Sequence, residues 1–148
     1  MRMVGICLVL GVAAATGVAA QEKEVLRVPG TVAGLPFSPA VKVGTVIYLS
    51  GQIGNNRGTR DMVPGGIGPE TRQALDNIRT VLEASGSSLD RVFKCTVYLA
   101  DIAEYDAMNQ AYALVFSKDP PARSTVAGSG LALGARVEIE CMATAKQQ

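Results

Sequence analysis

The clearest alternation in the chain lies near its C-terminal end. Val137, Ile139 and Cys141 occupy one face of a period-2 pattern, and Glu138, Glu140 and Met142 occupy the other, as in a strand. The segment Pro121-Ala122-Arg123-Ser124-Thr125-Val126 is short, bounded by Pro and Gly, and reads as the strand before it. Val92–Leu99 is a third strand, with Phe93, Cys95, Val97 and Leu99 expected on one side. Residues 40–43 and 46–51 form a hairpin about Gly44-Thr45, a Gly-X turn. A short strand over residues 25–28 is expected in the lead-in. Two segments have a helical period. Ala74, Leu75, Ile78, Val81, Leu82 and Ser85 make one apolar stripe, with Pro69 in its first turn and Gly86 as C-cap. Arg72 with Asp76, and Arg79 with Glu83, are expected as i,i+4 pairs on its wet face. Tyr105, Met108, Tyr112, Val115 and Phe116 make the second stripe, begun by a capping box from Asp101 to Glu104 and stopped by Asp119-Pro120-Pro121.

The order after the lead-in is β-β-α-β-α-β-β, a single α+β domain. Two helices cover only one face of such a sheet, so the other face needs a different cover. Residues 55–68 read as a surface loop near any pocket. Gly128-Ser129-Gly130-Leu131-Ala132-Leu133-Gly134 nearly spells a dinucleotide fingerprint. Its spacing is one residue off and it joins strand to strand, so it is read as a connection.

Residues 1–20 have the form of a secretory signal peptide: Arg2, an apolar run over residues 4–18, then Val18-Ala19-Ala20 before Gln21. The run is short for a membrane span, and no stable membrane insertion is expected after cleavage. The domain is then residues 21–148, exported to the periplasm or secreted. Cys95 and Cys141 remain, and two exported cysteines invite a disulfide. The favoured reading is nevertheless a pair of small buried hydrophobes, since a bridge between neighbouring strands demands specific Cβ geometry.

The chain has 148 residues, 48% of them apolar, enough for one core. Aromatics are 5% and Trp is absent, and Lys plus Arg, 14, nearly balances Asp plus Glu, 13. With no basic run, nothing argues for nucleic acid. The absence of histidine removes the usual Ser-His-Asp and Cys-His devices and His-ligated zinc, and no metal or organic cofactor is expected. What remains as candidate chemistry is a lone Arg opening one strand and two carboxylates on one face of the next. The plain reading is a solvated sheet face with an edge Arg. The sharper one is a pocket where Arg123 grips a carboxylate through its planar fork and a neighbouring carboxylate handles water or a proton.

Pro121-Ala122-Arg123-Ser124 with Val137-Glu138-Ile139-Glu140 resembles the C-terminal signature of the RidA (YjgF-type) family of imine and enamine deaminases. Leu49-Ser50-Gly51-Gln52-Ile53, Gln73-Ala74-Leu75-Asp76-Asn77, Thr96-Val97-Tyr98-Leu99 and Met108-Asn109-Gln110-Ala111-Tyr112 resemble further family segments in the expected order. The resemblance implies a chorismate-mutase-like fold, a homotrimer with ligand sites in clefts between subunits, and hydrolysis of 2-imino and enamine acids to 2-keto acids and ammonia. It implies that Arg123 holds the substrate carboxylate and that Glu138 orients the attacking water and takes its proton. Ser50, Gly51, Asn109 and Thr125 would line the pocket, Thr125 where relatives often have Cys. Phe37 would line it where the best-known members have Tyr. The alternatives are a non-catalytic trimeric binding protein for carboxylate metabolites, or a chaperone-like interaction module. Ribonuclease activity is associated with some relatives, but a chain without histidine or a basic face offers no mechanism for it.

Overall fold

The computed structural model describes residues 20–146 of the chain, so the apolar N-terminal run lies almost wholly outside the described residues. Among these, no helix is long and apolar enough to cross a membrane. The elements in order are β1 (Lys23–Leu26), β2 (Ala40–Val43), β3 (Val46–Leu49), β4 (Gln52–Ile53), α1 (Ile67–Ala84), β5 (Val92–Leu99), α2 (Tyr105–Val115), β6 (Ala122–Ala127) and β7 (Val137–Thr144). They form one sheet in the order β1-β2-β3-β7-β5-β6, with β4 pairing β7 beyond the end of β3. All pairs are antiparallel except β5 with β6.

The period-2 reading of β7 holds: Val137, Ile139, Cys141 and Ala143 are buried, and Glu138, Glu140 and Met142 are half-buried on the opposite face. On β5, Cys95, Val97 and Leu99 are buried. These side chains join Leu75, Ile78 and Leu82 of α1 and Met108, Tyr112 and Phe116 of α2 in one core. Removing each large side chain from water contributes about 1.5–3 kcal/mol, which fixes the helices to that face. The opposite face carries no helix.

Several local expectations are corrected. The first strand lies at Lys23–Leu26 rather than 25–28, and β3 ends at Leu49, leaving a kink at Ser50-Gly51 before β4. Phe93 is 44% exposed, because a register shift between Val92 and Lys94 breaks the alternation at the start of β5. On α1, Arg79 pairs with Asp76 one turn back, in place of the two i,i+4 pairs. Asp101 does cap, accepting from the Ala103 N–H at 2.9 Å. Glu104 does not complete the box; its carboxylate takes the Arg136 guanidinium.

The cysteines are also corrected. Cys95 and Cys141 form a disulfide. They are direct partners across β5 and β7, with Cα atoms 4.1 Å apart, so the pairing of the two strands supplies the proximity that spacing in sequence does not show.

Buried polar residues on α1 hold the segment that follows the kink and the start of β7. Glu70, Thr71 and Asn77 all lie on the buried side beside the apolar stripe. Asn77 donates to the carbonyls of Ile53, at 3.0 Å, and Asn55, at 3.1 Å, holding β4 against the helix. Glu70 accepts from the Arg136 N–H at 2.8 Å, which ties α1 to the start of β7. Gly54 permits this approach, since a Cβ there would meet the Glu70 Cα at 2.6 Å.

Candidate functional site: two half-sites on opposite faces of the sheet

Arg123 stands on β6 directly beside Cys95 of β5, and Thr125 beside Val97. Side chains paired in register point to the same face, so both lie on the helix-covered side. The contacts agree. The Arg123 guanidinium donates to Asn109 Oδ1 at 2.5 Å and to the Tyr105 hydroxyl at 3.4 Å, and approaches Met108 Sδ at 3.9 Å. It lies over the Tyr112 ring at 4.7 Å and the Tyr105 ring at 5.8 Å. Aromatic faces attract a guanidinium without neutralising it. Among the described residues no carboxylate pairs with Arg123. The cation is thus aimed and held while its charge stays unmatched.

Two buried hydroxyls near it have no hydrogen-bond partner: Thr125 Oγ1, on the same strand face, and the Tyr112 hydroxyl. Burial pushes the Tyr112 hydroxyl up to about 12 even though the Arg123 charge pulls the other way. It therefore remains a neutral donor. A half-buried cation and unpaired hydroxyls suit an anion with further oxygen or nitrogen atoms.

Glu138 is on β7 directly opposite Tyr98 of β5, and Glu140 opposite Thr96. These positions alternate with the buried ones, so Glu138 faces the side without helices. Its carboxyl group lies over Gly51: a methyl group on Gly51 would meet the Glu138 carboxyl carbon at 2.7 Å and its Cγ at 2.9 Å. A glycine at the kink is what admits the carboxylate. Burial, and secondarily the Glu140 charge, pushes the Glu138 carboxyl above the usual range, so it is a stronger base than a solvated one. The Tyr98 hydroxyl donates to Glu140 at 3.2 Å, fixing that second carboxylate. Phe37, Gly51, Gln52 and Leu133 share a cleft with Glu138.

The structure therefore brings Arg123, Asn109 and Thr125 together, and Glu138, Gly51 and Phe37 together, but it separates the two groups. Within one chain Glu138 is not beside Arg123: β5 runs between their strands and they face opposite ways. Ser50 takes a different part from the expected one. Its hydroxyl donates to the Ser38 carbonyl at 2.7 Å and its N–H to the Pro39 carbonyl at 3.0 Å, so it fixes the loop that carries Phe37. The ring platform of Tyr105 and Tyr112 was visible in sequence only as a core stripe, since no spacing shows that α2 packs beside β6. Among the described residues no group of His, Cys, Asp or Glu is arranged to hold a metal ion.

Comparison with known proteins identifies the family and the fold. Residues 30–145 match the family described as Endoribonuclease L-PSP. The 2-iminobutanoate/2-iminopropanoate deaminase of Capra hircus is 44% identical over 108 residues, covering 73% of this chain and 79% of that protein. The RutC family protein UK114 of Drosophila melanogaster is 42% identical over 108 residues, covering 73% and 78%. Among solved structures, a Rid family protein from Yersinia pestis superposes with a TM-score of 0.77 at 38% identity, covering 83% of this chain and 99% of that one. The YjgF gene product of E. coli gives 0.76 at 30% identity, covering 83% and 99%. The chain belongs to the Endoribonuclease L-PSP family, on the RidA (YjgF-type) branch of imine deaminase relatives.

Proposed function

We propose that the chain hydrolyses reactive 2-imino and enamine acids to 2-keto acids and ammonia, as a homotrimer in which the Arg123 half-site of one protomer meets the Glu138 half-site of the next. The observation that carries this reading is the division of the site. A cation suited to a substrate carboxylate and a carboxylate suited to a water lie on opposite faces of one sheet, and the Glu138 face has no helix of its own to cover it. A second copy laid on that face would join the two groups and cover the uncovered side of the sheet in one step.

The chemistry asks for little more. An imine carbon already reacts with water, so the site contributes mainly by fixing the substrate and placing the nucleophile. Arg123 receives the substrate carboxylate through N–H groups left over from Asn109 and Tyr105. Glu138, a base strengthened by burial, accepts the proton of the attacking water and is placed to return it to the departing nitrogen. Names of relatives support the substrate class; they are 2-iminobutanoate/2-iminopropanoate deaminases. The chain is further proposed to act after export, a reading supported by the signal-like N-terminal run and by the Cys95–Cys141 disulfide.

The test is ammonia and keto-acid release from 2-iminopropionate generated in situ, with residues 21–148 beside Arg123→Ala. Acceleration by the wild type alone is expected. A folded trimer that binds 2-keto acids without accelerating hydrolysis would replace the enzyme with a carboxylate-binding protein.

A further inference from the structure

The cleft that holds Glu138 reaches well beyond it. It has a volume of about 870 Å³, and its lining includes Gly51, Phe37, Leu133, Arg27, Arg57 and Arg60 besides Glu138. The smallest 2-imino acids fill only a fraction of that space. Its charged lining consists of these three arginines and Glu138. Arg27 follows β1, and Arg57 and Arg60 lie in the loop after β4, so the group is invisible as a run in sequence. None of the three has an ion-pair partner among the described residues. Arg57 donates one N–H to the Pro29 carbonyl at 2.5 Å, which anchors it on the lead-in segment and leaves its other donors free. Asp61, next to Arg60 in sequence, does not line the cleft.

A concave wall with three guanidinium groups and one carboxylate focuses a positive potential into the cleft. The one carboxylate in the lining, Glu138, is the group assigned to the proposed reaction. An anion drawn to the arginines is therefore distinct from the carboxylate that Arg123 receives. We propose that the Arg27, Arg57 and Arg60 wall is a second anion subsite, so that the preferred substrates are 2-imino acids whose side chain ends in a carboxylate. This rests on the deaminase reading and adds the substrate's second charge to it. Phe37 and Leu133, 56% and 54% exposed in the same lining, offer apolar surface for the methylene groups between the two charges.

The experiment compares imines generated in situ from aspartate and glutamate with those from alanine and 2-aminobutyrate, by keto-acid release, at two salt concentrations. The expected result is a kcat/KM at least tenfold higher for the dicarboxylic imines, carried by KM and reduced by salt. Arg60→Glu and Arg27→Gln, which disturb no ion pair in the structure, should pull that ratio toward one; Arg57→Gln should do the same but also loosens Pro29. A ratio near one in the wild type, or a high ratio unmoved by Arg60→Glu, overturns the subsite while leaving the deaminase in place. No acceleration of any imine overturns both. Protection of the arginine wall by a short RNA oligomer, with no effect of 2-oxoglutarate, would assign the wall to a nucleic-acid partner and overturn the subsite.

Discussion

Arg123 and Glu138 are separated by a single strand, yet the protein holds them by different means. Arg123 is gripped on the helix side by Asn109, Tyr105, Tyr112 and Met108, all from α2. Its orientation is supplied within its own chain. Glu138 is held on the bare face of the sheet by a backbone that makes room for it at Gly51, and by a like charge, Glu140, that Tyr98 fixes beside it. One half-site is built of contacts that aim a charge; the other is built of absences and repulsion that sharpen a base. Binding wants a fixed cation with its charge unmatched, whereas proton transfer wants a carboxylate whose proton affinity has been raised, here by burial and by Glu140. Opposite faces of one sheet meet both demands, and under the proposed trimer the site is completed between copies.

The largest expected effect falls on the binding half. Arg123→Ala should lower kcat/KM by at least about a hundredfold and abolish 2-keto acid binding together, as loss of a charge-assisted two-point contact does. Arg123→Lys should recover little, because its point charge cannot bridge two oxygens. Titration calorimetry with a 2-keto acid checks both, and unimpaired binding by Arg123→Ala would break the assignment of the halves.

Glu138→Gln should keep that binding while losing about 10²–10⁴-fold in kcat, the usual range for a general base. Mixing Arg123→Ala and Glu138→Gln chains by unfolding and co-refolding sharpens the comparison. Each site between protomers then draws an intact Arg123 from one chain and an intact Glu138 from another in about a quarter of cases, and activity should return to about that fraction. No recovery would put both residues in a site made by one chain, against the opposite-face geometry.

A smaller effect falls on the bond between β5 and β7, the strand that carries Glu138. Replacing Cys95 and Cys141 together by Ala should cost about 2–4 kcal/mol of stability, read by denaturant unfolding, and thiol titration of the unfolded wild type without reductant should find no free thiol at these positions. Titratable thiols at both positions would restore the reading as buried hydrophobes.

The smallest change concerns pH. Glu138 acts as a base only when ionised, and burial has raised its proton affinity, so the rate should fall with decreasing pH through a limb above the ordinary carboxylate range. Glu140→Gln removes the secondary cause and should move that limb to lower pH. The stability sign runs the same way: a raised folded-state pKa means ionisation opposes folding, so the Glu138 penalty is absent at low pH and complete above the raised pKa. Glu138→Gln should therefore unfold at a slightly higher temperature near neutral pH. A limb unmoved in Glu140→Gln would detach the second carboxylate from the first.

The amino-acid sequence by itself determined the elements and their inner faces. The alternation of Val137, Ile139 and Cys141 with two glutamates placed β7, and the stripe from Ala74 to Leu82 placed α1, because burial imposes periods of 2 and 3.6 wherever one face meets a core. The sequence also offered the candidate residues of the site, through a resemblance borne by short segments. It did not contain what depends on strand order. Cys95 meets Cys141, and Tyr98 meets Glu138, only because β7 pairs β5 in that register. Phe93 turned outward at a register shift that periodicity does not announce. Arg123 and Glu138 looked like neighbours because their strands follow one another in the chain. The placement of β6 on the far side of β5 parted them, the register that pairs Arg123 with Cys95 and Glu138 with Tyr98 set them on opposite faces, and the arginines of the cleft were gathered by loops too irregular to carry a period. Local patterning reports which face of an element is buried; only the packed chain decides what that face meets.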